Sequence, residues 1–562
     1  MTRPPLLSRR TFLTSSGLAL TAGALGPFGI ERANAMPLIP LPTTRAARRQ
    51  APSAFLPAPP SAEELRRLAL AAMDAAKSAG ADFADVRVGV QRGVAVPPFP
   101  YYPGASLEIG YGVRAYVNGT WGFQYGNLLS ADAMTSAARS AVAGAQRYAA
   151  TNQRLGRTNA IALAPTPVAT GEWHGPSDID PFNVPLDDYY RVIDTLQANA
   201  PAVYRNVRIG GGTLGWHAET RVFASTDGAL VTQYFMRGGP AMKGTVIRPD
   251  TGESVDIQVD DRWITSGGFE VAFNTDWIEY FHAGVEEARR VTELPFRPFR
   301  DVGRFPIIFD GASFGNLIGT TLSEALDSDR ASGAEADAGG STFLASPDDV
   351  LGASVPQFSP LLTVRADRAL PYLNATGWDD EGVVPEPYTL IDRGRVVDYH
   401  TTRTTAPRLA AWYAKRGEPM RAHGTAISTL PTDLPRGTPG HLSVAPASGR
   451  ASLDDLAREI QHGFIMRGTI AGVEAGLSLA TIQGSALEVQ RGKIVGTTSD
   501  ITLQLVTKKI FTGNLVAIGD AGTVRTVPFT TNKGVPPRQF DQPVSAPAAL
   551  CKDVDVVTWL NG

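Results

Sequence analysis

Two kinds of hydrophobic periodicity run along this chain, and together they predict a mixture of helices and strands. Apolar residues three to four positions apart indicate amphipathic helices at residues 63–78, 131–149, 186–198, 278–292 and 453–462. Alternation of apolar and polar residues indicates strands at residues 84–90, 110–117, 120–125, 204–210, 219–224, 229–237, 242–247, 254–259 and 463–468. Asn118-Gly119 predicts a hairpin turn between two of these strands.

The order of these elements predicts an α+β protein of two domains. A chain of 562 residues is too long for one compact core. We expect an N-terminal α/β domain over residues 61–293 and a β-rich C-terminal domain with large antiparallel sheets over residues 294–562. The Pro-rich residues 294–298 form the expected hinge between them.

One stretch, residues 305–330, carries the pattern of a hydrolase site. It predicts a buried strand at 306–309, a turn at Asp310-Gly311, and a helix with an apolar face. Hydrolases often place their working residues at such a strand–turn–helix junction. The predicted helix contains no histidine, and its polar residues are Thr320, Thr321, Ser323, Glu324, Asp327, Ser328 and Asp329.

This stretch resembles the core motif of the TldD/PmbA (TldD/TldE) peptidase family, whose metal-binding branch continues into His-Glu-x-x-x-His. An overlay without gaps, matched at Pro306, Gly315, Leu317 and Asp329, puts Gly319 and Glu324 at the two histidine positions. Thr320 falls at the position of the glutamate, and Thr320 cannot act as a general base at neutral pH. The metal-binding branch also has a cysteine ligand, and the matching residues 523–537 contain no cysteine. The motif is therefore degenerate.

Further blocks resemble the same family, so that the likeness extends over about residues 62–561. They are residues 112–114, 119–123, the turn at 225–228, and the pair of blocks 378–382 and 389–394. Residues 307–310 and 341–344 are similar to the metal-free, TldE-like branch, which also lacks the histidines.

The resemblance implies a TldD/TldE-type fold in which a metal-bearing subunit pairs with a metal-free one around a channel for extended peptides. Active members cleave unfolded peptides and bind the peptide backbone as an added strand. For this chain it implies a catalytically silent, TldE-like subunit or a peptide-binding paralogue. Its expected partners are a peptide or unfolded protein segment and a second subunit, in a homodimer or in a heterodimer with a metal-bearing family member. No cofactor is expected, and zinc is expected if the chain is active.

An active metallopeptidase with substitute ligands is the first alternative. Glu324 and Asp327 are three residues apart and share a helix face, and His400 lies near the family's active-site region. Carboxylates can bind a hard cation or share a proton. No two of the seven histidines lie three to five residues apart, so the sequence contains no zinc-binding pair on one helix.

A serine hydrolase is the second alternative. Residues 311–315 read G-A-S-F-G, which has the form of a nucleophile elbow centred on Ser313. The aligned family motif explains the same glycines by strand-to-helix packing, and no recognisable Asp and His blocks follow.

The N-terminus predicts export. Residues 8–13 read S-R-R-T-F-L, an apolar run follows to about Leu25, and Ala33-Asn34-Ala35 has the form of a cleavage site. We expect a twin-arginine signal peptide at residues 1–35, a disordered linker at 36–60, and a mature protein in the periplasm or cell envelope.

The net charge bears on nucleic-acid binding, and the cysteine content bears on disulfides and cysteine-based metal clusters. The formal net charge is −3 without long runs of one sign, which gives no reason to expect nucleic acid as a partner. The single cysteine, Cys551, excludes an internal disulfide framework and a cysteine-based metal cluster. It lies in a strand-like run and is expected to be a small core residue.

Overall fold

The structure, a computed structural model, describes residues 39–97, 101–157, 163–203, 207–249, 251–252, 254–257, 265–274, 276–297, 302–336, 340–474, 476–534 and 537–557. The predicted signal peptide at residues 1–35 lies outside these residues. Among the helices described, none is long and apolar enough to cross a membrane. The described elements form the predicted α+β fold, with one large sheet before residue 267 and a second set of sheets after residue 302.

The N-terminal half contains one large, mainly antiparallel sheet. Its strands are β1 (Ile39–Pro40), β2 (Phe83–Val96), β3 (Gly104–Val117), β4 (Thr120–Gly126), β5 (Thr170–His174), β6 (Val207–Ser225), β7 (Leu230–Ile247), β8 (Ser254–Asp256) and β9 (Thr265–Ser266). The main order is β1-β3-β2-β6-β7-β5, with β4 paired to β3 and both β8 and β9 paired to β7. Strand β5 runs parallel to β7 and ends this order.

Four long helices accompany this sheet, close to where the sequence predicts them. They are α1 (Ala62–Ser78), α2 (Ala131–Arg154), α3 (Leu186–Val203) and α4 (Asp276–Glu293). Ser61 and Ser130 cap α1 and α2 by accepting hydrogen bonds from the backbone N–H groups of Glu64 and Ala133, both at 3.2 Å. The apolar faces of α1 and α2 bury Leu65, Leu68 and Met134 against the sheet.

The strands predicted between residues 204 and 247 are longer and fewer in the structure. Strands β6 and β7 form one antiparallel pair, registered continuously from Val207↔Val246 to Ala224↔Leu230 apart from one bulge. Glycines that lie between the predicted strands, such as Gly238 and Gly239, are inside the ladder instead. At Gly238 a Cβ atom would lie 2.2 Å from the carbonyl oxygen of Gly215, so close approach of the two backbones requires glycine there.

The prediction of a disordered linker over residues 36–60 is wrong for the part that the structure describes. Strand β1 pairs with β3 through Ile39↔Ala105, and short helical turns follow at Arg45–Arg48 and Pro52–Phe55. Leu41 is buried in a cluster with residues of α3 such as Tyr189. Burial of a few apolar side chains is enough to order a segment whose composition lacks any period.

The C-terminal half is built from further sheets and short helices. Its strands are β10 (Gly303–Phe309), β11 (Val364–Asp367), β12 (Tyr388–Asp392), β13 (Arg395–Val396), β14 (Ala426–Ile427), β15 (Arg436–Gly437), β16 (His441–Val444), β17 (His462–Val473), β18 (Leu479–Gln490), β19 (Lys493–Val506), β20 (Leu515–Ile518), β21 (Arg525–Val527), β22 (Thr530–Lys533), β23 (Arg538–Asp541), β24 (Val544–Ala546) and β25 (Ala549–Val557). Its helices include α5 (Gly311–Leu317), α6 (Ser328–Ala331), α7 (Pro347–Gly352), α8 (Ala410–Arg416) and α9 (Leu453–Arg458). The helix predicted over 453–462 therefore ends at Arg458, and His462 begins β17.

Two sheets of this half enclose helix α5. Strands β10, β17, β18, β19 and β25 form a closed ring because β10 pairs with both β17 and β25. The other sheet has the order β13-β12-β11-β16-β24-β21. Helix α5 packs between β17 of the ring and β21 and β24 of the other sheet. Cys551 is buried in β25 opposite Ile307, as predicted for a core residue.

Candidate functional site

The predicted strand–turn–helix is present at residues 303–331, and its helix has three parts. Asp310 caps α5 by accepting a hydrogen bond from the Ser313 N–H at 2.7 Å. The chain continues as a π-helical segment at Ile318–Ser323, and Asp327 caps the short helix α6. Segments of π-helix occur frequently at functional sites. Here the π-helical segment contains Gly319 and Thr320, two of the three motif positions.

Neither Gly319 nor Thr320 presents a group that could bind a metal. A Cβ atom at Gly319 would lie 2.7 Å from the ring of Phe529, so this aromatic side chain fills the space beside the glycine. The Thr320 hydroxyl donates a hydrogen bond to the backbone oxygen of Asn316 at 2.8 Å. The first histidine position and the glutamate position of the motif are therefore closed by packing and by a local hydrogen bond.

Glu324 is buried, with only 4% of its surface exposed. Its Oε1 atom accepts a hydrogen bond from the Thr531 hydroxyl at 2.8 Å. Its Oε2 atom lies 3.4 Å from Arg330 Nε and 3.9 Å from Lys533 Nζ. A buried carboxylate is tolerated where cations surround it, so Glu324 belongs to a charge cluster formed with Arg330 and Lys533.

Lys533 is the centre of this cluster. Its side chain is 3% exposed, its ammonium group forms an ion pair with Asp327, and it donates a hydrogen bond to the Gly437 backbone oxygen at 2.7 Å. Burial by itself would lower the pKa of Lys533, but the carboxylates of Asp327, Glu324 and Glu335 raise the pKa above its ordinary value. The ammonium group is therefore a permanent cation between Asp327 and Glu324.

Two further carboxyl groups surround the cluster and titrate unusually. Burial, followed by the charge of Asp327, raises the pKa of Asp329 to about 7, although Arg408 lies 3.0 Å from this carboxylate. Burial and Asp327 also raise the pKa of Glu335. Acidic groups that share a small volume hold a proton more tightly than isolated ones because each disfavours ionisation of the other.

His400 lies beside the cluster but does not complete a metal site. The backbones of His400 and Asp327 form an isolated parallel β-bridge, and the His400 Nδ1 atom is 2.6 Å from the Tyr388 hydroxyl. Burial, followed by the charge of Lys533, lowers the pKa of His400 well below its ordinary value, so the ring is neutral. Its Nε2 atom has no hydrogen-bond partner among the described residues.

These residues do not fit a zinc ion. Zinc in proteins is held by three or four histidine, cysteine or carboxylate ligands that converge on one point. In the described ranges no group of three or more such side chains is arranged to do so. Glu324 and Asp327 are directed instead at the Lys533 ammonium group, which any added cation would have to displace.

Ser313, the residue of the serine-hydrolase alternative, is buried in the first turn of α5. Its hydroxyl donates a hydrogen bond to the backbone oxygen of Met466 in β17 at 3.3 Å. At Gly311 a Cβ atom would lie 2.6 Å from the backbone oxygens of both Thr523 and Ala546. The glycine of the G-A-S-F-G sequence therefore serves close packing of the helix against its neighbours.

Thr531 and Lys533 also belong to the site, although neither was predicted from the sequence. Both lie in β22, inside the stretch aligned with the cysteine-bearing loop, where only the lack of cysteine was noted. The signal that could have found them is their spacing, since residues i and i+2 of a strand point to the same face. On that face, Thr531 contacts Glu324 and Lys533 contacts Asp327, although the two pairs of residues are far apart in the sequence.

The second family-like block, residues 378–382, joins the two halves of the molecule. Asp380 accepts hydrogen bonds from Arg221 Nη1 at 2.7 Å, and Glu381 from Arg114 Nη1 at 3.0 Å. All four side chains are buried. Asp379 accepts hydrogen bonds from backbone N–H groups of its own loop and of Ala426, and burial raises its pKa to about 8.

Comparison with protein families gives two matches. The family described as PmbA/TldA metallopeptidase C-terminal domain matches residues 302–558, and PmbA/TldA metallopeptidase domain 1 matches residues 103–145. Together the matches span more than half of the chain. Among curated proteins, no sequence matches the chain.

Solved structures of similar fold have low sequence identity. A candidate modulator of DNA gyrase from Bacteroides thetaiotaomicron has 15% identity and a TM-score of 0.61, over 88% of this chain and 99% of that one. A candidate modulator of a DNA gyrase from Thermotoga maritima has 14% identity and a TM-score of 0.62, also over 88% and 99%. TldE from Thermococcus kodakarensis has 14% identity and a TM-score of 0.58, over 86% and 98%. These likenesses show that the fold is shared.

Proposed function

The chain belongs to the TldD/PmbA family, and we propose that it is a metal-free, TldE-like member that binds peptides without cleaving them. The observation that carries this proposal is the position of Lys533. Its ammonium group lies between Asp327 and Glu324, and Glu324 stands at a histidine position of the family motif. A fixed internal cation balances these carboxylates without a metal ion.

The loss of the general base supports the same proposal. A metallopeptidase of this type needs a carboxylate to take a proton from the attacking water. Thr320 occupies that position, and its hydroxyl is bound to the Asn316 backbone oxygen. Restoring a cation alone would therefore not restore the reaction.

Two further parts of the proposal concern assembly and location. We propose that the chain acts as one subunit of a dimer, either with a copy of itself or with a metal-bearing family member, and that it is exported by the twin-arginine route. The residues that motivate export are Arg9 and Arg10 of the S-R-R-T-F-L sequence. Replacing both with lysine should leave the uncleaved protein in the cytoplasm, and unchanged export of that variant would contradict the assignment.

The test of the proposed function is the metal content of the mature protein, purified without a polyhistidine tag and exposed to excess zinc before desalting. We expect well below one zinc per chain by mass spectrometry of the element, and no hydrolysis of an unfolded casein substrate by the chain alone. One zinc per chain, removable by a chelator together with casein hydrolysis, would overturn the proposal.

A further inference from the structure

A large cavity lies between the two halves of the molecule, beyond Tyr388 from the Lys533 cluster. Its volume is about 900 Å³. The N-terminal half contributes residues 165–170, which lead into β5, and the C-terminal half contributes residues 378, 382–384, 386–389, 397–398, 416, 418 and 421–423. A cavity of this size at a boundary between domains is a typical ligand site.

Part of the cavity lining is apolar and exposed. The side chains of Val168 and Val384 are exposed, by 53% and 57%. Thr166 and Glu386 each precede a proline, which favours an extended backbone. The segment that contains Thr166 leads into β5, which among the described strands pairs only with β7. Such a wall suits an extended peptide that carries small apolar side chains.

The lining also contains two arginines that share one carboxylate, that of Glu418. Glu418 lies 2.8 Å from Arg416 and 3.5 Å from Arg421. The Glu418 side chain is 30% exposed and follows Gly417, which ends α8 in the left-handed conformation at a φ of 68°. Within the described part of the chain, the Glu418 carboxylate contacts these two arginines and no other cation or hydrogen-bond donor, so a competing carboxylate could take its place.

Asp398, the other carboxylate near these arginines, is held much more firmly. It accepts hydrogen bonds from Arg421 at 2.9 Å, His423 at 3.0 Å, Tyr413 at 3.1 Å and the Tyr399 N–H at 2.8 Å. Burial opposes ionisation, but the hydrogen bonds and the neighbouring charges hold the pKa of Asp398 below its ordinary value. Asp398 therefore orients Arg421, while Glu418 is the more exposed partner with fewer contacts. The remaining carboxylate of the lining, Glu386, is exposed to solvent.

We propose that this cavity binds the carboxyl-terminal end of a peptide. Arg416 and Arg421 bind the terminal carboxylate in the place of the Glu418 side chain, and the last apolar side chains lie against Val168 and Val384. Guanidinium groups suit this role because they bind carboxylates through paired, charge-assisted hydrogen bonds. The inference rests on the proposed peptide binding and names the end of the peptide that is recognised.

The test uses two pentapeptides of sequence Gly-Ala-Val-Ala-Val labelled with fluorescein at the N-terminus, one with a free carboxyl group and one with a C-terminal amide. Fluorescence anisotropy with the mature protein should show about tenfold or tighter binding of the acid, the size expected for a charged hydrogen-bond pair. Arg421→Gln should remove the preference for the acid. Arg393→Gln, an arginine 81% exposed on the β12–β13 turn and outside the lining, is the matched control and should leave it unchanged.

Glu418→Gln provides a test that expects a gain of affinity, which a misfolded protein would not show. This variant removes the competing carboxylate, so the acid peptide should bind several-fold more tightly while the amide peptide is unaffected. Equal affinities for the two peptides in the wild type, no binding of either, or unchanged acid binding by Glu418→Gln would each overturn the inference. A zinc-bearing, casein-cleaving protein that still prefers the acid peptide would instead contradict the proposed function and leave this inference standing.

Discussion

Lys533 shows how one side chain changes the chemistry available to a motif. Its ammonium group is buried between Asp327 and Glu324, and it also binds the Gly437 backbone oxygen. Removing one partner from a buried ion pair leaves the other charged and without solvent, which costs far more than removing a surface pair. The stability of the site therefore depends on Lys533.

We expect Lys533→Met to lower the free energy of unfolding by about 3–5 kcal/mol, because Asp327 and Glu324 would remain buried without their cation. Denaturation in urea measures this change. Lys415→Met is the matched control, since Lys415 and Asp348 form an exposed pair at 3.1 Å whose loss should cost about 0–1 kcal/mol.

Adding divalent cations to Lys533→Met distinguishes the loss of the positive charge from the loss of side-chain packing. With Lys533 gone, added Mn²⁺ or Ca²⁺ can bind the vacated carboxylates and should recover part of the lost stability, whereas the wild type should not respond. A Lys533→Met protein as stable as the wild type, without added cation, would show that the ion pair does not hold this cluster together.

Asp329 predicts a dependence of stability on pH. Its pKa is about 7 in the folded chain and about 4 in an unfolded one. Between these values the folded state holds the extra proton, so the free energy of unfolding should fall as pH rises from about 4 to about 7, by up to about 1.4 kcal/mol per pH unit. Asp329→Asn should flatten the profile in this window.

The exposed Asp348 offers the control, and Asp348→Asn should leave the wild-type profile unchanged. Urea denaturation at a series of pH values measures all three proteins. A slope in Asp329→Asn equal to that of the wild type would place the extra proton on another group.

The strand–turn–helix at residues 303–331 shows which local features a sequence pattern reveals. Strand β10, the turn after it and the helix were all predicted, because apolar alternation and an Asp-Gly turn are local signals. The π-helical segment at Ile318–Ser323 was not predicted, and neither was the packing of Phe529 beside Gly319, because Phe529 is distant in the sequence. Strands β6 and β7 show the opposite error, in which two long paired strands were predicted as four short ones.

The close packing of this element gives a direct test at Gly311. Its Cβ atom would lie within 3 Å of three backbone atoms, from Thr523, Arg525 and Ala546, none of which can rotate away. We expect Gly311→Ala to destabilise the protein by about 1–3 kcal/mol through overpacking. Thermal denaturation monitored by circular dichroism measures the loss.

Gly449→Ala is the control, because no atom lies within 4 Å of a Cβ there. If Gly311→Ala melted at the wild-type temperature, the helix would have room to shift. Close packing would then no longer explain Gly311, and the serine-hydrolase interpretation of the G-A-S-F-G sequence would have to be tested again.

In the molecule as a whole, the two halves are joined by buried charges. Arg221 of β6 binds Glu219 at 2.5 Å and Asp380 of the C-terminal half at 2.7 Å, and Arg114 of β3 binds Glu381 at 3.0 Å. The cavity proposed to bind a peptide lies at the same boundary. The relative position of the halves therefore determines the shape of that cavity.

We expect Arg221→Met to cost about 3–5 kcal/mol, because Asp380 would lose its buried partner. Scanning calorimetry should show the lower stability together with weaker coupling, seen as separated transitions of the two halves. Arg304→Met, which removes an exposed pair with Asp555, is the control and should behave like the wild type. A single transition at the wild-type temperature in Arg221→Met would show that apolar contacts alone hold the halves together.

The sequence by itself determined the fold class, the main helices, the family likeness and the loss of the His-Glu-x-x-x-His motif, because each of these depends on neighbours or on fixed spacing along the chain. Only the tertiary structure decided what replaces the motif. Lys533 and Glu324 are more than two hundred residues apart, and no local pattern records that they meet. The same holds for Arg221 with Asp380 and for the order of residues 39–55, since burial and ion pairing are properties of the packed molecule.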